Sequence, residues 1–198
     1  MPQERATATK AKLVRTASDL IRHRGFLATR IDDVCEVAGV TKGAFFHHFK
    51  SKEELAEECL VAWGRQMTDL LTSAPFQKAK DPRKRVLGVI DFFISVFDDP
   101  EMVKSCLVGT TVQEISETHP ELRAAANRNF NLMKGYFKAM IDEACGPGAK
   151  RVDSASLADL LISTIQGSLL LYKASRDPSV IRKNLQHVKQ YIAGYLPD

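Results

Sequence analysis

Cysteine is scarce in this chain of 198 residues, and its four cysteines lie far apart. They form no CxxC pair and no Cys/His ligand spacing, which argues against a disulfide-stapled fold and a structural metal site. Their scatter also provides no resolving pair for a redox sensor. We therefore expect no metal and no cofactor, and four buried, reduced thiols: Cys35, Cys59, Cys106 and Cys145.

Long apolar runs are also missing. No stretch approaches the roughly 18 uncharged apolar residues that a membrane span requires, and no apolar segment follows the opening MPQERATATKAK. These absences predict a cytoplasmic protein with no membrane partner. The composition, 44% hydrophobic and 26% charged, is that of a soluble globular chain with room for one large or two small domains.

The chain contains little that resembles catalytic machinery. His47 and His48 are adjacent on a predicted helix, about 100° apart around its axis, so they cannot easily chelate one ion. Neither has HExxH spacing, and His23, His119 and His187 are typical of helix ends and polar surfaces. Because no nucleophile or acid/base arrangement is recognisable, the sequence predicts that the protein is not an enzyme.

The positive charge of the chain is concentrated at its amino-terminal end. The first 52 residues hold ten Lys and Arg against five Asp and Glu, and the remainder holds 18 against 19. A basic first quarter on a nearly neutral body is typical of a phosphate-binding module joined to a body that binds something else. A solvated charged surface would give the same balance without any nucleic acid.

Residues 29–49, TRIDDVCEVAGVTKGAFFHHF, have the pattern of two short helices joined by a tight turn. Thr29 with Asp32 has the spacing of a capping box at the start of the first helix. Gly39 permits the positive φ that commonly ends a helix, and Thr41 is a good N-cap for a second helix over 42–49. The pattern predicts a helix-turn-helix, whose second helix would enter the major groove of DNA.

Residues 25–55, GFLATRIDDVCEVAGVTKGAFFHHFKSKEEL, resemble the DNA-binding domain of the TetR family of bacterial transcriptional regulators. As a combined pattern the match is highly specific, although it covers only about a sixth of the chain. Two positions depart from the family. Cys35 stands where alanine is usual and is expected to substitute for it, whereas Phe46 stands where the family has a phosphate-contacting tyrosine and puts that contact in question.

The predicted DNA contacts cluster around the second helix of the motif. Lys42 and Lys52 lie at successive helix starts, where basic side chains and free amides can contact phosphates. The resemblance implies hydrogen bonds to DNA from three further residues, Thr29, Thr41 and His48, and two small residues would let the helix approach the bases. The predicted DNA-binding residues are Thr29, Thr41, Lys42, Gly43, Ala44, Phe46, His47, His48 and Lys52.

Helical periodicity extends through the rest of the chain. It predicts helices over about 6–24, 52–72, 83–97, 101–116, 118–146, 153–175 and 178–196, with Gly109 as a possible break. Segment 73–82, SAPFQKAKDP, has two prolines and no periodicity, so we predict a linker there. The expected fold is all-α with about nine helices: a three-helix DNA-binding domain over 1–51 and a larger effector-binding and dimerisation domain over 52–198.

Apolar and aromatic side chains recur along the helices of the predicted larger domain. By themselves such stripes are typical of a packed core. The resemblance implies that these helices surround an inducer cavity, and cavity walls are mostly apolar with few polar groups. We therefore expect a small apolar or aromatic effector, with these predicted lining residues: Trp63, Met67, Phe92, Phe93, Cys106, Phe130, Met133, Phe137 and Gln166.

The last two helices carry the pattern of a helix-helix seam, with apolar residues at alternating four-three spacing. Because one recognition helix reads only a few base pairs, a two-fold dimer on a palindromic site is the expected assembly. The resemblance implies a four-helix dimer seam built from both chains. The predicted interface residues are Leu161, Ile165, Leu169, Ile181, Leu185, Val188 and Ile192.

Two classes of function remain open from the sequence. The first is a ligand-responsive DNA-binding regulator, most simply a repressor released from a palindromic operator by its effector. The second is an all-α binding or signalling protein whose basic first domain contacts a partner other than DNA. The exposed T-K-G-A start after Gly39 favours the first, since a protein-binding bundle has no need of it.

Overall fold

The computed structural model describes residues 2–99, 105–146 and 153–197. In these ranges the chain forms nine α-helices and one short 3₁₀ helix and has no strand, which confirms the predicted all-α fold. The 3₁₀ helix is Pro75–Lys78. The α-helices are α1 (Pro2–Arg24), α2 (Ile31–Ala38), α3 (Lys42–His48), α4 (Lys52–Ser73), α5 (Pro82–Phe97), α6 (Leu107–Ile115), α7 (Pro120–Cys145), α8 (Ser154–Ser175) and α9 (Ser179–Ala193).

Local chemistry sets most helix ends. Gly25, Gly39 and Gly146 follow α1, α2 and α7 with φ values of 94°, 60° and 66°, a region that favours residues without a Cβ. Asp81 and Asp153 are the N-caps of α5 and α8, and their carboxylates accept backbone N–H groups at 2.9 and 3.0 Å. The predicted boundaries of these helices are thereby confirmed to within a few residues.

Two predictions about α4–α6 differ from the structure. Segment 73–82 is not a featureless linker, because its 3₁₀ helix buries Phe76 against the ring of Phe92, with centroids 5.7 Å apart. Gly109 does not break α6 but lies buried within it. Residues 101–104, the beginning of the helix predicted over 101–116, lie outside the described ranges.

The contacts divide the chain between two compact units. The first unit is drawn from Met1–Gln66 and Cys106–Asn129, and the second from Met67–Ser105 and Phe130–Asp198. α4 and α7 therefore contribute residues to both units. The predicted division at residues 51 and 52 follows the sequence motif and remains a prediction.

The first unit is organised around the apolar stripe of α1. Leu13, Ala17 and Ile21 are buried, as the periodicity predicts, together with Phe26 and Phe45. Burial of a phenyl or leucyl side chain stabilises a fold by about 1.5–3 kcal/mol, so these side chains stabilise the packing of α1 against α2 and α3.

The second unit packs α9 against α8 and α5. Polar links accompany the apolar seam: the Asn184 amide donates to the Ser168 hydroxyl at 3.1 Å, and the Lys189 ammonium contacts both Asp91 carboxylate oxygens at 2.7 Å. The Arg83 guanidinium donates to the carbonyls of Ala193, the last residue of α9, and of Leu196 and Pro197 beyond it. These contacts fix α9 to the start of α5.

By length and composition alone, α8 could cross a membrane; it is the one described helix that could. The core helix of a soluble protein satisfies the same criterion, and seven residues of α8 are buried within the protein. Three leucines of α8 are exposed: Leu160, Leu170 and Leu171.

Candidate nucleic-acid interface

The turn between α2 and α3 has the geometry that its sequence predicts. The Gly39 N–H donates to the Glu36 carbonyl at 3.0 Å, and the Val40 N–H donates to the Cys35 carbonyl at 3.0 Å. Thr41 then adopts an extended conformation, and its hydroxyl accepts the Ala44 N–H at 3.1 Å. The prediction that Thr41 caps the second helix is confirmed.

The cap of α2 differs from the prediction. The N-cap residue is Arg30, whose backbone N–H donates to the Asp33 carboxylate at 3.2 Å. Thr29 is only 1% exposed, because its hydroxyl donates to the Gly25 carbonyl at 2.6 Å inside the loop after α1. Thr29 therefore neither caps α2 nor presents a group to DNA in this conformation.

The two sides of α3 differ sharply in exposure. Phe45 in α3 and Phe49 directly after it are buried, and the centroids of their rings lie 5.8 Å apart. The opposite side is exposed and includes Phe46, which is 50% exposed. Thr41, Lys42, Gly43, Phe46 and His47 are thus available to a partner, while Ala44 and His48 are half-buried.

Gly43 has no internal reason to be glycine. Its φ lies outside the left-handed region, and a Cβ placed there would meet only the Thr41 hydroxyl oxygen at 3.8 Å. Glycine weakens a helix relative to alanine. The absence of a side chain leaves open space at the start of α3, where the sequence predicts a close approach to DNA.

Lys52 is engaged within the protein. Its ammonium donates to the Phe26 carbonyl at 3.1 Å and lies 4.1 Å from the centroid of the Phe26 ring. The predicted phosphate contact of Lys52 would have to compete with both interactions. The structure supports Lys52 first as a residue that holds the loop after α1 against the start of α4.

Basic and aromatic groups adjoin the end of α3. The rings of His47 and His48 are 5.0 Å apart, and the Lys10 ammonium lies 5.5 Å from the centroid of the Phe49 ring. Burial, followed by the proximity of His47 and Lys10, lowers the pKa of His48. At neutral pH His48 is therefore an uncharged hydrogen-bonding group.

The loop after α1 is also bound by α6. The Leu27 N–H donates to the Glu114 carboxylate at 2.9 Å, and a Cβ at Gly25 would lie 1.9 Å from the other oxygen of that carboxylate. On the same loop, the Phe26 ring meets His119 edge to face at 5.5 Å. Residues from α4, α6 and the start of α7 thus position the loop that leads into α2.

One candidate contact was missed by the sequence reasoning. Arg30 directly precedes α2 and has a side chain that is 76% exposed, with its guanidinium 4.0 Å from the Asp32 carboxylate. Its position immediately before a helix start could have identified it, because basic side chains there commonly contact phosphates. The sequence pattern predicts the helix cap at Thr29, one residue too early.

The predicted effector-binding residues divide between the two units. Trp63 and Cys106 belong to the first unit, where the Arg22 guanidinium lies 5.1 Å from the centroid of the Trp63 ring. Burial lowers the pKa of Arg22, and Asp19 and Cys106 partly offset this effect. Trp63 therefore neighbours a charged group rather than a purely apolar wall.

The remaining predicted effector-binding residues belong to the second unit, which contains an aromatic cluster. Phe93 and Phe137 are buried and meet edge to face at 6.0 Å, so they are core residues. The Gln77 amide donates to the Tyr136 hydroxyl oxygen at 2.6 Å beside this cluster. The half-buried residues, which retain some accessible surface, are Met67, Phe92, Phe130, Met133 and Gln166.

The predicted dimer residues form the interior of the protomer. All seven are at most 7% exposed, because the seam they make joins α8 and α9 of the same chain. They cannot supply the contact surface between two chains while the protomer is folded. The exposed large hydrophobic residues of these helices are instead Leu160, Leu170, Leu171 and Tyr191, and Tyr195 is exposed just beyond α9.

Comparison with known proteins places this arrangement in a family. Residues 13–59 match the family described as "Bacterial regulatory proteins, tetR family", and residues 82–188 match "Tetracyclin repressor-like, C-terminal domain". The second match alone covers more than half of the chain. The two matches coincide with the helix-turn-helix region and with the helices from α5 to α9.

Similar proteins extend over nearly the whole chain. The HTH-type transcriptional repressor DhaR of Mycobacterium sp. is 27% identical over 86% of this chain and 85% of its own length. The HTH-type transcriptional repressor NemR of Escherichia coli is 25% identical over 93% and 94%. The structure of a TetR transcriptional regulator from Chloroflexus aurantiacus has a TM-score of 0.84 at 23% identity and covers 96% of each chain. The chain therefore belongs to the TetR family and is a ligand-responsive, DNA-binding transcriptional regulator.

Proposed function

We propose that the protein is a homodimeric repressor that a small apolar or aromatic effector releases from a palindromic operator. The observation that carries this proposal is the exposed side of α3. There a capped helix start presents Lys42 and the side-chain-free Gly43 beside the exposed Phe46. Such a surface suits a major groove, in which phosphate contacts set the register and base edges are read at close range.

The exposed side of α8 and α9 supports dimerisation. Leu170 and Leu171 are each 53% exposed, and Tyr191 is 52% exposed. A Cβ at Gly167, one turn before these leucines, would meet no atom within 4 Å, so another helix could approach closely there. Exposed apolar stripes of this kind mark interaction surfaces. A two-fold partner on this stripe would bring two copies of α3 to a palindromic site.

The aromatic cluster of the second unit supports the proposed class of effector. The Gln77 amide donates both to the Leu71 carbonyl and to the Tyr136 oxygen, which leaves the Tyr136 hydroxyl hydrogen available to an acceptor. Burial raises the pKa of Tyr136, so this hydroxyl stays protonated well beyond neutral pH. An aromatic or apolar molecule with one hydrogen-bond acceptor would suit such surroundings.

Repression and a cytoplasmic location are part of the proposal. DhaR and NemR are named as repressors, and both resemble this chain over most of its length. A repressor needs only to occupy its operator, whereas an activator needs a further surface for the transcription machinery. Operator DNA, the effector and a second copy of the chain are then sufficient partners.

Selection from a random duplex library tests the DNA-binding part of the proposal. The protein should enrich a palindromic sequence whose half-sites lie about one helical turn, or a multiple of it, apart. If no sequence is enriched and a protein partner instead binds through residues 29–49, the all-α signalling alternative is favoured. Enrichment of an unpaired half-site would contradict the dimer.

The effector can then be sought by release of that operator. Trp63 is the only tryptophan in the chain and lies in α4, which extends from the helix-turn-helix region. An effector that displaces α4 should change Trp63 fluorescence at the concentration that releases DNA, because both signals report one population shift. Release of DNA without a fluorescence change would assign the coupling to another helix.

A further inference from the structure

The two helices of the DNA-binding motif are joined by an ion pair at their amino-terminal ends. Asp32 lies in the first turn of α2 and Lys42 is the first residue of α3, and the Lys42 ammonium is 2.8 Å from an Asp32 carboxylate oxygen. Both side chains are more than half exposed, at 55% and 59%. The contact therefore lies on the surface of the motif and not in its core.

Charge and hydrogen bonding both stabilise the ionised carboxylate. The hydrogen bond from Lys42 and the charge of Lys42 lower the pKa of Asp32, with a smaller contribution from Arg30. Asp32 is thus a full negative charge at neutral pH. It stands between two exposed basic groups at the helix starts, Arg30 and Lys42.

This carboxylate presents to Lys42 the same chemistry that DNA would present. A carboxylate oxygen and a phosphate oxygen are both anionic acceptors for an ammonium group. A phosphate must therefore displace Asp32 from Lys42 or share the ammonium with it. Because an exposed ion pair is weak and is screened by salt, displacement is possible, but it leaves Asp32 unpaired near the DNA backbone.

We propose that Asp32 is a specificity-determining residue that withholds Lys42 from DNA phosphates until base contacts fix α3 in the major groove. On non-specific DNA, α3 is not fixed, and Lys42 remains on Asp32. On the operator, the fixed helix brings a phosphate to Lys42 and the ammonium transfers to it. The inference rests on the proposed DNA contacts of α3 and assigns a role to a residue outside them.

The salt dependence of binding distinguishes the two modes. Each phosphate neutralised by a cation contributes about −0.9 to the slope of log affinity against log salt on duplex DNA. In Asp32→Asn, Lys42 becomes available to any duplex. We expect the slope on a mixed-sequence 30-base-pair duplex to steepen by about 0.9 per protomer, and binding near 0.1 M salt to tighten by roughly tenfold for each protomer in contact.

Asp32→Asn should change binding to the operator less than it changes binding to the mixed-sequence duplex. Because Lys42 already contacts a phosphate in the wild-type complex, the operator slope should stay unchanged and the affinity should rise only a few-fold. The ratio of operator to non-specific affinity should therefore fall. An equal or larger gain on the operator than on the mixed duplex, or weaker binding to both, would overturn the inference.

Two further variants separate this role from a simple change of net charge. Glu36→Gln removes the same charge from an exposed position of α2 without removing the partner of Lys42, and it should leave the affinity ratio unchanged. In a Lys42→Met background, Asp32→Asn should no longer change the slope, as a double-mutant cycle requires for residues that act through each other. If Asp32→Asn has its full effect without Lys42, the assigned pair is wrong.

The same measurements separate this inference from the function on which it rests. A wild-type protein that enriches no sequence and binds neither duplex would overturn both. A wild-type protein that binds its operator tightly, with an affinity ratio that Asp32→Asn does not lower, would overturn the role of Asp32 alone.

Discussion

Glu114 and Leu27 are joined by a hydrogen bond of 2.9 Å between a carboxylate on α6 and a backbone N–H in the loop after α1. The loop approaches closely because Gly25 has no side chain, and its φ of 94° excludes most other residues. The carboxylate thus occupies the space in which any other residue at position 25 would place its Cβ.

Replacing Gly25 by alanine should destabilise the protein by about 1–3 kcal/mol, because the substitution combines a strained φ with displacement of Glu114. Glu114→Ala should cost less, about 1 kcal/mol, because water can reach the exposed Leu27 N–H once the carboxylate is removed, and Glu114→Gln keeps an acceptor and should cost less still. Denaturant unfolding measures all three. Gly135→Ala is the control, since a Cβ there meets no atom within 4 Å, and it should be neutral or stabilising.

Gly43→Ala should separate folding from DNA binding. A Cβ fits at this position, so α3 should gain about 0.5–1 kcal/mol in helix stability. The same methyl group would occupy the space proposed for close approach to DNA, and operator affinity should fall at least tenfold. Thermal unfolding and operator titration of one sample provide the test. A higher unfolding midpoint with undiminished operator affinity would show that α3 does not approach DNA through Gly43.

Charge on the exposed side of α8 should abolish dimerisation without unfolding the protomer. Leu171→Asp places a carboxylate on the proposed interface at a residue that is 53% exposed, so sedimentation should show folded monomers. Leu132→Asp, at a 65% exposed position of α7, should remain dimeric. Leu185→Asp should instead unfold the protein, at a cost of about 4 kcal/mol or more, because Leu185 is fully buried. A dimeric Leu171→Asp variant would place the interface elsewhere.

The four thiols should differ in reactivity towards iodoacetamide. Burial raises the pKa of Cys59 to about 12, and its Sγ donates to the Val14 carbonyl at 3.4 Å. Since the thiolate is the nucleophile, the folded protein should leave Cys59 unmodified at pH 8. Cys106 and Cys145 are only half-buried, so the prediction of four buried thiols is wrong for these two, and they should react first. Mass mapping of the alkylated protein at increasing pH checks the order, and rapid reaction of Cys59 under native conditions would contradict it.

The pKa of Cys59 also has a consequence for stability, and its sign follows from linkage. The folded protein binds the thiol proton more tightly than the unfolded chain does. The contribution to stability is therefore complete below the unfolded pKa, near 9, and is lost as the pH rises from there towards about 12. The unfolding midpoint of the wild-type protein should therefore fall as the pH rises above about 9. Cys59→Ala should show a smaller fall over the same pH range, because it lacks the buried thiol.

The sequence predicts those parts of the site that depend on neighbours along the chain. Gly39 and Thr41 could be assigned because a positive φ and a capping hydroxyl act within a few residues. Thr29 could not, because its hydroxyl bonds to the Gly25 carbonyl, an alternative that capping preferences do not include. Lys52 shows the same limit: a basic residue at a helix start is equally suited to a phosphate and to the Phe26 carbonyl that it contacts.

The error at α8 and α9 has a different physical origin. Periodicity identifies which side of a helix is buried but not which partner buries it. Leu185 and Val188 follow the spacing of a seam, and the seam exists, but it lies within one chain. The surface proposed for dimerisation instead contains Leu170, Leu171 and Tyr191, which fall outside the seam and which the fold leaves exposed.

The first compact unit is discontinuous in sequence, since it combines residues up to Gln66 with residues 106–129. Recombination with a relative at a single crossover after α4 would bring Gly25 and Lys52 from one parent and Glu114 and His119 from the other. Such chimaeras would take Gly25 and Glu114 from different parents, although the Glu114 carboxylate lies where a Cβ at position 25 would be. Exchange of operator specificity between relatives should therefore succeed when both segments are transferred together, with two crossovers flanking α6 and the start of α7.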